Sequence, residues 1–273
     1  MNITSVEEAK RDSAYYEALT QLLYQLADDD FIIAYRGSEW LGLAPHIEED
    51  VAFSSINQDT MGHAAMYYQL LEELGEGKLD YLAHGRKVEE RVNAILLEKV
   101  NGTGTYLTEP KYDWAFTVVR HYFYTQYKKI KTESLKNSSY EPLKHVAYKV
   151  NMELYYHLLH WRTWFHQLCT ANGDAKTRMK AAISIVLEDF GGVVHLGPAQ
   201  KEMTSFQLID SEKILRERFL LEMKQMFEKA DLNFTMNMEM KRGNGRLGEH
   251  TSDLDDALKT LSEVYNSNPA AIW

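Results

Sequence analysis

The five prolines, at positions 45, 110, 142, 198 and 269, all fall between stretches of helical apolar periodicity and never inside one. A proline within a helix removes an N–H and clashes with the preceding turn, so this placement leaves segments of roughly 20 to 30 residues free to coil without interruption. Fifteen glycines in 273 residues are too few for the many tight turns of a β-sandwich or barrel. Hydrophobic residues at 45% supply enough material for a sizeable core, which excludes wholesale disorder. The formal charge of −10 repels phosphate backbones and anionic lipid, so neither nucleic acid nor a membrane surface is an expected partner. No apolar run approaches the ~18 residues of a bilayer-spanning helix. The one cysteine, Cys169, can form no internal disulfide, and the stretch from Met1 to Arg11 is polar rather than signal-like. A cytoplasmic location is expected.

Ser5 and Glu8 stand at capping-box spacing, and Ala14, Leu19, Leu22, Leu23, Leu26, Phe31 and Ile32 follow at helical intervals. They predict one long helix to about Tyr35. After a turn from Trp40 to Pro45, the recurrence of Val51, Ile56, Met66, Leu70 and Leu74 predicts a second, stopped by Gly75 and Gly77. A shorter helix is expected over 80–100, another from Thr108 and Pro110 to about Leu135, and a fourth long one from Ser139 and Pro142 to about Thr170. Shorter helices are expected over 175–190, 210–230 and 252–265. The glycine-rich, basic stretch 241–248 reads as a mobile loop. No repeat or linker divides the chain, so the expectation is a single all-α domain over 1–273: a four-helix bundle over about 5–172 and a C-terminal helical extension over about 173–273.

A bundle that uses iron or manganese for oxygen chemistry needs a Glu on each of two helices and a Glu-x-x-His pair on each of the other two. No Glu-x-x-His occurs here. Acid and histidine recur instead at i,i+4, as Asp59 with His63 and Glu153 with His157, and Gly62 and Tyr156 stand where the two ligand histidines would be. Asp59 lies on a stripe with Ala52, Ile56, Met66 and Leu70, Glu153 with Val146, Val150, Tyr156 and Trp164, and Asp28 with Tyr24, Phe31, Ile32 and Tyr35, so all three acids are expected to point inward. On the third long helix the comparable position is Arg120, among Phe116, Thr117, Phe123 and Tyr127. A guanidinium among buried carboxylates supplies the counter-charge a metal would otherwise give. The expected network is therefore Asp28, Asp59, His63, Arg120, Glu153, Tyr156 and His157, although each acid alone also fits pairing with a neighbour or reaching solvent. The run Tyr155, Tyr156, Trp161, Trp164 and Phe165 reads as core, and His157, His160 and His166 as hydrogen-bonded side chains. No phosphate loop, nucleophile elbow or zinc spacing is present. The alternative is a self-sufficient metal-dependent oxidase or oxygenase using His63, His157, Asp59 and Glu153.

The chain resembles the C subunit of the bacterial phenylacetyl-CoA epoxidase family, the phenylacetate ring-1,2 oxygenases. The resemblance runs through Ala34-Tyr-Arg-Gly-Ser-Glu-Trp-Leu-Gly-Leu-Ala-Pro45, Glu49-Asp50-Val-Ala52, Asn57-Gln-Asp59-x-x-Gly62-His63-Ala64, Asn101-Gly102, Arg120-His-Tyr-Phe123, Glu153-x-x-Tyr156-His157, and Gly248-Glu-His250-Thr251 with Leu254 and the final Trp273. It covers about 26–273. It implies a ferritin-like fold without diiron ligands, and a non-catalytic structural subunit with no cofactor of its own. It also implies a catalytic diiron A subunit as partner, a reductase that supplies NADPH electrons, and phenylacetyl-CoA accepted by the complex. Self-association of the isolated chain stays open. Lys241, Arg242 and Arg246 are candidates for the CoA phosphates, against the commoner case of a solvated basic loop.

Overall fold

A computed structural model describes residues 2–105 and 107–271. Four long helices form the bundle: α2 (Ser13–Ser38), α3 (Ile47–Leu74), α5 (Trp114–Leu135) and α6 (Glu141–Thr170), with the short α1 (Val6–Ala9) before them. The remaining helices are α4 (Ile95–Glu98) in the connector, then α7 (Asp174–Leu187), α8 (Gly191–Val194), α9 (Gln200–Ser205), α10 (Glu212–Lys229), α11 (Ser252–Leu261) and α12 (Glu263–Ser267). The all-α, ferritin-like bundle with additional C-terminal helices is the architecture the periodicity and the resemblance led us to expect.

Three elements depart from the expected pattern, each for a local reason. The first helix divides, because the Asp12 carboxylate accepts the free N–H groups of Ala14 and Tyr15 and starts α2 afresh. Ser5 does accept from the Glu8 amide, but the Glu8 carboxylate reaches back to Thr4. The segment 80–100 is not a helix. It contains a π-turn, a 3-10 turn and α4, and its backbone is held by side chains in place of an internal ladder: Asp28 takes the Val92 amide, Asp29 the Ala94 amide, and Arg86 and Arg91 cap the carbonyls of Leu82 and Ala83. Thr108 and Pro110 lie in a β-hairpin of β1 (Gly102–Thr105) and β2 (Thr108–Tyr112), and α5 starts later, at the Asp113 cap. Gly104 has φ +79°, and a Cβ there would collide with the Glu109 carbonyl.

The second and fourth long helices end and begin as expected, with Gly75 left-handed after α3 and Pro142 in the first turn of α6. α3 and α6 each keep one solvent face, whereas α2 and α5 are buried nearly all round. The connector and the C-terminal half cause this difference. α7, α8 and α10 cover α5, while α4, α9 and α11 cover α2. Phe123, Tyr127, Phe190 and Phe219 form the aromatic seam between α5 and that cover. The N-terminus is tied down where Ile3 bridges Ser139 and Glu141.

Candidate functional site

Consecutive helical residues diverge by about 100°, so the three successive carboxylates of α2, Asp28, Asp29 and Asp30, fan into three different surroundings. Asp30 points to the bundle centre, where it accepts from the Tyr124 hydroxyl at 2.6 Å and pairs with the Lys128 ammonium at 2.7 Å. The same ammonium lies 2.8 Å from His63 Nδ1, and His63 Nε2 lies 2.6 Å from Glu153 Oε2. An ammonium can only donate, so Nδ1 is the bare acceptor and Nε2–H donates to Glu153. The chain Tyr124–Asp30–Lys128–His63–Glu153 therefore leads from the interior to a carboxylate whose side chain is 44% exposed. Beside it His157 Nε2 is 2.9 Å from Asp59 Oδ2, with the two imidazoles 5.9 Å apart.

Burial, then the neighbouring Lys128 charge, pushes the His63 pKa far down, which agrees with a neutral ring. Burial also lowers His157, with the Asp59 bond opposing. It raises Asp30 and lowers Lys128, each opposed by attraction to the other. Glu153 is raised by burial and by the nearby Asp59 carboxylate.

These residues do not fit a diiron centre. Both ring nitrogens of His63 are engaged, and the Lys128 ammonium already stands beside it and Asp30. The cavity lined by Lys128, His157, Tyr124 and Trp161 holds about 10 Å³, room for no more than one water. Among the described residues, no group of three or more His, Cys, Asp or Glu is arranged to hold a metal.

Of the seven residues singled out from the sequence, the centre unites Asp59, His63, Glu153 and His157. Asp28 is fully buried but turned away from them, bonded to Tyr68 at 2.6 Å and to the guanidinium groups of Arg86 and Arg91. Burial opposes its ionisation, yet the two arginines hold its carboxyl below the usual range. Arg120 is equally buried, but it donates to the Lys99 carbonyl and Asn101 Oδ1 and lies 4.8 Å over the Phe116 ring, so it pairs with none of the three acids. Burial, then Arg36, lowers its pKa to about 9, so it stays charged at neutral pH. Tyr156, assigned to the core stripe, is 70% exposed, as is most of Tyr155, whereas Trp161 and Phe165 are buried. The periodicity placed these tyrosines inside because α6 carries apolar side chains on its outer face as well.

Sequence reasoning passed over Lys128, Asp29 and Asp30. The available signal was a run of three acids in one long apolar helix facing Lys128 and Lys131 in another. Asp29 binds Arg246 through two 2.8 Å bonds, with Lys131 at 3.5 Å, and this pins the 241–248 stretch that was expected to be mobile. Lys241 and Arg242 pair with Glu188 and Asp189, so all three candidate phosphate-binding cations are already matched by acids. Some of the motif residues that carry the resemblance, Arg36, Glu39, Asn101, Arg120, His250 and Thr251, gather around Glu98 and Asn101. Glu98 accepts from His250 at 2.7 Å and from both the amide and the hydroxyl of Thr251, and its carbonyl accepts from Arg36. Asn101 links the Arg36 carbonyl, Glu39 and Arg120. His250 Nε2 faces the Arg91 carbonyl, so both of its nitrogens meet acceptors and the ring is doubly protonated. Burial opposes that charge, and Glu98 outweighs burial to raise its pKa. The final Trp273 lies outside the described residues. No helix among the described residues is long and apolar enough to cross a membrane.

The chain is 25% identical over 256 residues to a protein of Escherichia coli (strain K12) named as the C subunit of 1,2-phenylacetyl-CoA epoxidase, an alignment covering 93% of this chain and 99% of that protein. The sequence model of a family described as phenylacetic acid catabolic protein matches residues 1–273. The chain belongs to the phenylacetic acid catabolic protein family.

Proposed function

We propose that this chain is a non-catalytic structural subunit of a multicomponent oxygenase that epoxidises the ring of phenylacetyl-CoA in aerobic phenylacetate breakdown in the cytoplasm. The observation that carries this reading is the Lys128 ammonium at the centre of the bundle, bonded to His63 and Asp30 where a ferritin-like oxygenase keeps metal. The subunit has no cofactor of its own. Its role is to stabilise and position a diiron A subunit, and acyl-CoA is met by the complex. Family membership and the relative's printed name support the assignment to phenylacetate catabolism.

The competing role, an oxidase built on His63, His157, Asp59 and Glu153, needs free histidine nitrogens. Both nitrogens of His63 are engaged, and a lysine charge is fixed beside them. Metal analysis of protein purified from iron-replete cells separates the two readings. Iron and manganese well below one equivalent per chain, with no dioxygen uptake by the isolated protein, is the expected result. Stoichiometric, tightly held metal would overturn the proposal.

A further inference from the structure

The outer face of α6 carries Tyr148, Met152, Tyr155, Tyr156 and Leu159, each more than half exposed. Their spacing makes one continuous ridge about 16 Å long at 1.5 Å per residue. A contiguous apolar strip on rigid helix, rich in Tyr and Met, has the composition of an interface core. Its chemistry is not apolar alone. Glu153 is one helical turn before Tyr156 and so borders the ridge on the side of α3, and Asp59 stands close enough to Glu153 to raise its pKa. Both side chains are more than two-fifths exposed, and each has only a histidine as its ion partner. Among the described residues, no lysine or arginine lies within ion-pair distance of either carboxylate. The surface therefore offers an apolar ridge edged by two acids that no lysine or arginine contacts directly.

We infer that this α3–α6 face is the docking surface for an α-helix of the partner subunit, one that presents an apolar strip and an arginine or lysine directed at Asp59 and Glu153. The inference rests on the structural-subunit reading above and adds to it the place and chemistry of contact. A helix is the matching shape because a ridge at i, i+4, i+8 intercalates with the groove of another helix. A cation is the matching charge, and a guanidinium can bridge two carboxylates with its fork of donors. Such a contact gives the two acids at the surface end of the central chain a use, because His63 and His157 hold them in place from behind.

The test uses the full chain titrated with the diiron subunit of the same epoxidase complex, with affinity read by calorimetry and co-elution. Met152→Glu and Tyr156→Glu each put a charge on the ridge without touching the core and are expected to weaken binding by about 30-fold or more. Glu153→Gln keeps an acceptor for His63. It is expected to weaken binding about 5- to 10-fold and to flatten its salt dependence, because one interfacial charge is lost. Leu221→Glu, on the exposed side of α10, should bind as the native chain does. Native-like affinity for Met152→Glu and Tyr156→Glu, with circular dichroism showing both folded, would overturn the docking face and leave the structural-subunit reading standing. Absence of any complex with the native chain would instead remove that reading and the docking face with it.

Discussion

On one side of α2, Asp30 begins a hydrogen-bonded chain through Lys128 and His63 that ends at the half-exposed Glu153. On the other side Asp28 and Asp29 meet Arg86, Arg91 and Arg246, and every member of that group is buried. The first cluster holds neutral imidazoles and a lysine, and the second holds guanidinium groups and a protonated His250. The difference follows from what each side must join. The bundle centre fills a space between continuous helices, where an acid, an amine and an imidazole are enough. The other side must hold irregular chain, the 80–100 connector and the 241–251 segment, whose backbone groups have no ladder of their own. Arginine, with five donors, satisfies carbonyls and carboxylates together. The buried arginines thus replace secondary structure, whereas the lysine supplies the counter-charge to Asp30 between continuous helices.

The largest expected effect lies on the arginine side. Arg246→Ala should destabilise the fold by roughly 4 kcal/mol in urea unfolding, because it leaves Asp29 buried with only Lys131 at 3.5 Å as counter-charge. A loss under about 1 kcal/mol would show that this joint is solvated and would erase the contrast between the two sides.

At the centre, Lys128→Met should cost about 3 kcal/mol by stranding Asp30, and Lys128→Met combined with Asp30→Asn should recover much of it. Additive losses in that double-mutant cycle would mean that the pair is not coupled.

The two sides also answer pH in opposite directions. The pKa values of His63 and His157 are lowered on folding, so their contribution is intact above the unfolded value of about 6.5 and is lost as pH falls below it, by up to about 1.4 kcal/mol per pH unit for each ring that stays neutral. His250 is raised, so its contribution is complete below about 6.5 and is lost as pH rises through its folded pKa. In chemical denaturation across pH, His250→Gln should flatten the alkaline limb alone and His63→Gln the acid limb alone. A shared effect of both variants on one limb would contradict the assignment.

The smallest change is expected at the surface end of the central chain. Asp59→Asn should alter stability by less than about 1 kcal/mol, because its carboxylate is 41% exposed. A thermal melt showing a much larger loss would move Asp59 into the load carried by the core.

Legibility in the sequence followed the same division. α3 and α6 keep a solvent face, so their spans and the His63 and His157 positions could be read from periodicity. α2 and α5 are wrapped on all sides, and a helix buried all round carries no stripe to say which acid points where. That is why Asp28 was placed with Asp59, and why Arg120 was given the counter-charge that Lys128 supplies. The connector 80–100, expected as a helix, is not one. Its actual path is set by Asp28, Asp29 and Glu98, which are distant in sequence or in another element, and a local window cannot contain them. The pinning of 241–248 was hidden for the same reason, since Asp29 is more than two hundred residues from Arg246. Composition predicted mobility, and a single long-range ion pair prevailed over it.

The most direct test of the account is anomalous X-ray scattering at the iron edge from crystals of protein made in iron-replete cells. The account predicts no anomalous peak at the bundle centre and continuous density from the Lys128 amine to His63 Nδ1 and Asp30. A peak coordinated by His63, Glu153 or Asp59, with Lys128 swung aside, would contradict it.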